Sequence, residues 1–241
     1  LKGSSVIGCG RWRAYGADPF SAEIEVPTIG APRMQGHFIC KNAWSCDHCA
    51  RARVAQTRSW VRAALIPALA KKGLSAGLLT LTLAHSYDGD WSETVDALHR
   101  AQRLFDRRMG KVFKKIGSLG KLKSLEAPVG ANGLHPHFHF LLTYSMAADL
   151  TDVLEVMRTA WEKAVAEVGG RCNERGFDFK PDCVSDYVAK MESAYELASN
   201  GTKVEQGKGL LLGQLLDRAA RGDKKAGAEW LRDQAELGGC K

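Results

Sequence analysis

The run His135-Pro136-His137-Phe138-His139-Phe140-Leu141-Leu142 limits what this chain can fold into more than any other stretch. Three imidazoles occupy alternate positions ahead of an apolar segment, which is the pattern of a strand buried in a sheet. Side chains at i, i+2 and i+4 of a strand share one face, so the three histidines are expected to converge. Convergent neutral imidazoles are what a divalent metal needs. A histidine-rich surface strand is the plainer reading, and the surroundings of the run argue against it. The glycine-rich turn Gly130-Ala131-Asn132-Gly133 comes just before, and Glu126 ends the strand-like Lys121-Leu122-Lys123-Ser124-Leu125. A hairpin there would bring a carboxylate back toward the histidines.

Around this run the chain divides into three parts. Residues 1–50 are rich in glycine, proline and cysteine with little periodicity, so a metal would have to stand in for a small core. Residues 51–205 alternate helix and strand patterns: a helix from about Ala50 to Ala70, strand Ala76 to Ala84, helix Ser92 to Ile116, strands Leu122 to Glu126 and Leu134 to Leu142, helix Asp149 to Val168, and a short strand Phe177 to Phe179. Asp149 and Thr151 are cap candidates, and Gly169-Gly170 is a stop. Residues 206–241 read as two helices broken at Gly222, with Leu210 to Leu216 a core face. The order predicts an α+β fold, an antiparallel sheet with helices on one side. With 241 residues it has enough chain for a sizeable core. The opening residue is Leu1, which reads as a processed or truncated product.

The segment Val184-Ser185-Asp186-Tyr187-Val188-Ala189-Lys190 places a phenol and an ammonium three residues apart, on one face if the segment is helical. A His-hydrophobic-His strand followed by Tyr-x-x-Lys resembles the HUH endonucleases, in particular the rolling-circle replication initiator (Rep) proteins of plasmids and phages. His137-Phe138-His139 matches the histidine motif. Leu79-Thr80-Leu81-Thr82-Leu83 with His85 resembles the family's first strand, and Gly130 to His139 resembles its Gly-x-x-Gly-x-His-Pro-His-x-His form. The likeness touches residues from about 40 to 200.

The resemblance implies an HUH-type antiparallel sheet sandwich and a nicking chemistry. His137, His139 and either Glu126 or His135 would hold Mg²⁺ or Mn²⁺ to polarise the scissile phosphate. Tyr187 would attack phosphorus, leaving a 5′-phosphotyrosine and a free 3′-hydroxyl. A phenol with a reference pKa near 10 is mostly protonated at neutral pH, so Lys190 and the metal would stabilise the charge that develops. Some relatives carry a second tyrosine one turn on. Here that position is Met191 and the next tyrosine is Tyr195, so Asp182, Asp186 and Glu192 are candidates to activate water in the second strand transfer. The implied partners are single-stranded or hairpin origin DNA and a host helicase and polymerase.

Charge and cysteine usage fit that reading. The net charge is +7, and Arg107, Arg108, Lys111, Lys114, Lys115, Lys121 and Lys123 form a run without an acid. Such a run is usually a solvated face; beside a phosphodiester-cleaving motif it becomes a candidate DNA-backbone contact. The stretch from Cys40 to Cys49 holds a Cys-x-x-Cys knuckle, Cys46 and Cys49, with Cys40 six residues upstream. A two-residue gap lets both thiolates reach one zinc ion, and a disulfide is the alternative. Spacing leaves the fourth ligand open among Cys9, His37 and His48; the resemblance implies Cys9, because initiators of this kind often carry Cys-Gly upstream of such a knuckle. Cys172, Cys183 and Cys240 read as ordinary thiols.

No apolar stretch is long enough for a membrane span and no signal sequence is visible, so a cytoplasmic location without membrane partners is expected. Two other functions fit the same residues. One is a relaxase or single-strand transposase with identical chemistry, although relaxases more often place the tyrosine near the amino end. The other is a non-catalytic zinc-dependent DNA-binding module in which both clusters are structural.

Overall fold

The computed structural model describes residues 9, 24–25, 33–34, 37–41, 47–85, 90–130, 133–182, 215 and 218–237. In chain order the elements are β1 (Ile24–Glu25), β2 (Arg33–Met34), α1 (Asp47–Trp60), a π-helical turn at Val61–Leu65, α2 (Ile66–Lys71), β3 (Leu74–Thr82), α3 (Trp91–Lys115), β4 (Lys121–Glu126), β5 (Val129–Gly130), β6 (Gly133–Leu134), β7 (His137–Ser145), α4 (Thr151–Glu167), a 3₁₀ turn at Glu174–Gly176, β8 (Phe177–Lys180) and α5 (Lys224–Leu237). The protein is mixed helix and sheet, and its centre is a four-stranded antiparallel sheet of order β4-β7-β3-β8. None of the described helices is long and apolar enough to cross a membrane.

Side-chain alternation gives this sheet two different faces. Leu79 and Leu81 of β3, together with Phe138, Phe140, Leu142 and Tyr144 of β7, pack on Leu98, Phe105 and Met109 of α3 and on Met157 and Trp161 of α4. This is the main core. Trp161 is fully buried, and its indole N–H donates to the Thr82 carbonyl at 3.0 Å, so burial leaves no polar group unpaired there. The opposite face carries His137, His139, Leu141 and Thr143 of β7, Ala76, Leu78, Thr80 and Thr82 of β3, and Leu122, Ser124 and Glu126 of β4.

The sequence predicted helices on one side only. Instead Leu69 of α2 packs on Ala76 and Leu141, and Val61 packs on Leu122, so one end of the second face is covered too. The cause is composition: Ala76, Leu122 and Leu141 put apolar surface on that face, and it needs a cover. Farther toward the histidines the same rows turn polar.

Local signals explain most boundaries. Asp90 caps α3 by accepting from the Glu93 N–H at 3.1 Å, so the helix starts at Trp91, one residue ahead of the predicted Ser92. Gly169, at φ +79°, ends α4, with the Gly170 N–H returning to the Val165 carbonyl at 2.9 Å. Gly77 has no room for a side chain, because a Cβ there would lie 2.2 Å from the Phe179 ring. The turn at Arg221-Gly222 falls where the second C-terminal helix was expected to begin, and Trp230 of α5 packs with Trp91, Val95 and Leu215.

Candidate metal centre

Glu126, His137 and His139 meet on the polar end of the second face. Glu126 ends β4 opposite His137 in the register, and Ser124 sits opposite His139. The Glu126 Oε2 atom lies 3.0 Å from His139 Nε2 and 3.6 Å from His137 Nε2, and the two Nε2 atoms are 3.1 Å apart. All three side chains are buried, with Glu126 only 2% exposed. Leaving water costs an isolated carboxylate several kcal/mol in practice, about what a cation or a charge-assisted hydrogen bond must offset.

The hydrogen bonds around the cluster decide which nitrogens face it. His137 Nδ1 lies 3.0 Å from the His135 carbonyl oxygen, which can only accept, so Nδ1 carries the proton and Nε2 turns its lone pair inward. His139 Nδ1 lies 3.0 Å from the Thr80 hydroxyl, a group that either donates or accepts. With the proton on Nδ1 and donated to Thr80, His139 Nε2 is a second inward lone pair. Two imidazole nitrogens and a carboxylate oxygen then converge, a donor set that fits a divalent cation. Without a cation the same atoms are satisfied when Thr80 donates to Nδ1 and Nε2–H donates to Glu126.

Two expectations about the histidine strand need correction. Only two of the three imidazoles converge. Pro136 has no N–H for the ladder, so β7 begins at His137 and not at Leu134. His135 stands outside it, with its own N–H on the Pro128 carbonyl at 2.8 Å. Its Nδ1 lies 3.2 Å from His85 Nδ1, so Glu126 and not His135 completes the cluster. Burial, together with the charges of His137 and His85, pushes the His135 imidazole down to about 4. The predicted hairpin is present, with Val129 opposite Leu134 and Gly130 opposite Gly133.

A second cluster joins the amino-terminal part. The Cys9 and Cys49 sulfurs are 3.4 Å apart, those of Cys40 and Cys49 are 3.6 Å apart, and the Cys40 N–H points at the Cys9 sulfur. No disulfide joins Cys9, Cys40 and Cys49 to one another. Cys46, the fourth predicted ligand, lies outside the described residues, as do Tyr187, Lys190, Asp186, Glu192 and Tyr195.

The basic run does not share a face with the metal cluster. Arg107, Arg108, Lys111, Lys114 and Lys115 belong to α3. Lys121 and Lys123 are on the helix-covered side of β4: the Lys121 ammonium lies 4.3 Å from the Phe140 ring centre and pairs with Asp106, and the Lys123 ammonium lies 3.8 Å from the centre of Phe138. Arg108 pairs with Glu167. Asp182 is fastened to the Tyr144 hydroxyl at 2.8 Å and to Ser75 at 3.0 Å. Ser75 is five residues along β3 from Thr80, so Asp182 sits about 17 Å down the sheet from the cluster.

Sequence reasoning passed over two residues. Thr80 was only part of an apolar strand motif, although it shares a row with His139. Asp178 lies opposite Thr80 on the neighbouring strand, is exposed, and projects on the same side as His139. The alternation Phe177-Asp178-Phe179-Lys180 was the available signal for it. No family model, curated protein or solved structure matches the chain.

Proposed function

We propose that this protein is an HUH-type endonuclease that nicks single-stranded DNA and stays attached to it through Tyr187, as a rolling-circle replication initiator does. The observation that carries the reading is the Glu126–His137–His139 cluster, with its inward Nε2 atoms on the central strand of an antiparallel sheet. A divalent cation bound there, Mg²⁺ or the more imidazole-tolerant Mn²⁺, supplies Lewis-acid polarisation of the scissile phosphate. In this reading the Tyr187 oxygen forms a bond to phosphorus while the bond to the 3′-oxygen breaks. The products are a 5′-phosphotyrosine and a free 3′-hydroxyl. Lys190 offsets charge on the phenolate and the phosphate.

The thiol cluster gives the amino-terminal part a role in the same reading. The Cys49 sulfur lies 3.4 Å from that of Cys9 and 3.6 Å from that of Cys40, which approaches the roughly 3.8 Å edge of a tetrahedron with 2.3 Å zinc–sulfur bonds. Cys9, Cys40, Cys46 and Cys49 then hold a structural zinc. The same thiols favour a second reading, a zinc-dependent DNA-binding module without catalysis, and metal counting separates the two. One tight zinc and one exchangeable ion support the nuclease; two tight zincs and no cleavage support the module.

The deciding experiment incubates the protein with labelled single-stranded DNA and Mn²⁺ and looks for a covalent adduct. Wild type forms it and Tyr187→Phe, which keeps the ring, does not. An adduct that survives in Tyr187→Phe would assign the nucleophile to another residue, Tyr195 being the next to test. No adduct with any single-stranded DNA would remove the nuclease reading.

A further inference from the structure

The second face of the sheet carries a feature besides the metal cluster. Where α2 meets β4 and β7, an open cavity of about 390 Å³ is lined by Leu65, Ala68, Leu69, Leu122 and Leu141, with Lys72 at its rim. Leu122 and Leu141 belong to the rows that end in Glu126, His139 and His137. Leu141 is two residues from His139, about 7 Å along β7. The cavity and the cluster therefore share one face of the sheet.

The helical segment above the cavity is strongly basic. Residues 48–72 contain Arg51, Arg53, Arg58, Arg62, Lys71 and Lys72 and no acidic residue. Arg53, Arg62, Lys71 and Lys72 are exposed. Arg62 comes one turn before the cavity-lining Leu65, and Lys72 closes the same helical stretch. An apolar recess beside exposed cations suits single-stranded nucleic acid: the cations follow the phosphates, and the recess takes an unstacked base away from water, in place of the aromatic platforms on which such sites commonly stack bases. A duplex keeps its bases stacked inside, so it would use the cations and leave the recess unfilled.

We propose that the groove between α2 and the β4–β7 edge is a single-stranded DNA subsite, with Arg62 and Lys72 on the phosphates and a base in the cavity under Ala68. The site lies on the same face as the metal cluster, whereas the α3 run does not. This inference rests on the nuclease reading for its ligand, and it is tested by binding alone.

The test measures fluorescence anisotropy of a labelled single-stranded oligonucleotide, without divalent metal, across a salt series. Arg62→Glu/Lys72→Glu should weaken binding at least tenfold and flatten the slope of log K against log salt by about 1.4. Ala68→Phe, at an exposed position, should fill the recess and weaken single-stranded binding while leaving duplex binding as it was. Circular dichroism melts confirm that both variants are folded. An unchanged slope in the double reversal overturns the proposal. So does an equal reversal at Lys111 and Lys114 that carries the loss instead, since the strand would then run over α3. Unchanged single-stranded affinity in Ala68→Phe removes the base from the cavity. Failure of the nuclease reading looks different: the strand binds this groove with the expected salt slope, yet no adduct forms when Mn²⁺ is added.

Discussion

His137 and His139 present their Nε2 atoms to each other across 3.1 Å, while Glu126 reaches over from β4 to within 3.0 Å of the second. Nothing in a strand's geometry alone brings two imidazole edges this close. The outer nitrogens are anchored on the His135 carbonyl and the Thr80 hydroxyl, and this turns the inner ones toward one point. Hydrogen-bond partners on the outer ring nitrogens orient metal-binding histidines and raise their basicity.

Removing a ligand should therefore be felt first in metal affinity. His137→Ala and His139→Ala are each expected to weaken Mn²⁺ binding by about a hundredfold or more, and the double variant should show no binding by titration calorimetry. Both should keep the far-ultraviolet circular dichroism of wild type, because the apolar face of β7 is untouched. Undiminished Mn²⁺ binding in the double variant would show that the cluster holds no cation.

The thiol cluster should behave as a folding element. Apparent zinc binding energies of roughly 10 to 16 kcal/mol exceed what so small a core supplies by itself. Cys49→Ser, which removes a sulfur within 3.6 Å of those of Cys9 and Cys40, is expected to lower bound zinc to none and to expose residues 1–50 to limited proteolysis. The sheet domain should remain resistant. Wild-type protein that carries no zinc by metal analysis would contradict this.

The strands and their two faces were legible because each strand announces its buried face. Leu79 and Leu81 alternate with Thr80 and Thr82, and Phe138 and Phe140 alternate with the histidines, so faces followed directly from the period of two. Glu126 was legible through the hairpin that returns β4 toward β7. The start of β7 was misplaced because three alternating histidines outweighed Pro136, whose missing N–H decides the register. Lys121 and Lys123 were read as part of a charge run when their alternation with Leu122 and Ser124 already put them on the helix side. Thr80 and Asp178 depend on which strands become neighbours, and a lone sequence does not state that. Cover on the second face followed from Ala76, Leu122 and Leu141 only once β3, β4 and β7 were known to be adjacent.

The His135 pair predicts a pH dependence of stability. Burial and the neighbouring His137 and His85 lower its pKa to about 4 in the fold, against about 6.5 in the unfolded chain. Between those values the unfolded chain holds a proton that the fold does not. Stability is then complete above about pH 6.5 and falls as the pH drops toward 4. In metal-free protein, His135→Gln should lose less melting temperature between pH 7 and pH 5 than wild type does. Parallel curves for the two proteins would show that His135 titrates alike in both states.

Thr80 separates a positioned ligand from a merely packed one. Its hydroxyl, 3.0 Å from His139 Nδ1, can donate when Nε2 carries the proton and accept when Nδ1 does, so it serves the cluster with and without a cation. Thr80→Val keeps the branched shape and a strand-favouring residue but removes that partner, and β3 should still pair with β7. Mn²⁺ affinity is expected to fall by about 10 to 100-fold, the usual effect of losing such a partner. Thr80→Ser restores the hydroxyl and should recover most of the affinity, which a packing defect would not allow. Nitrogen-15 chemical shifts of His139 offer a second reading: wild type with metal should carry its proton on Nδ1, and Thr80→Val should show a mixture of tautomers. If Thr80→Val binds Mn²⁺ as wild type does, the hydroxyl is a bystander and His139 is oriented by Glu126 alone.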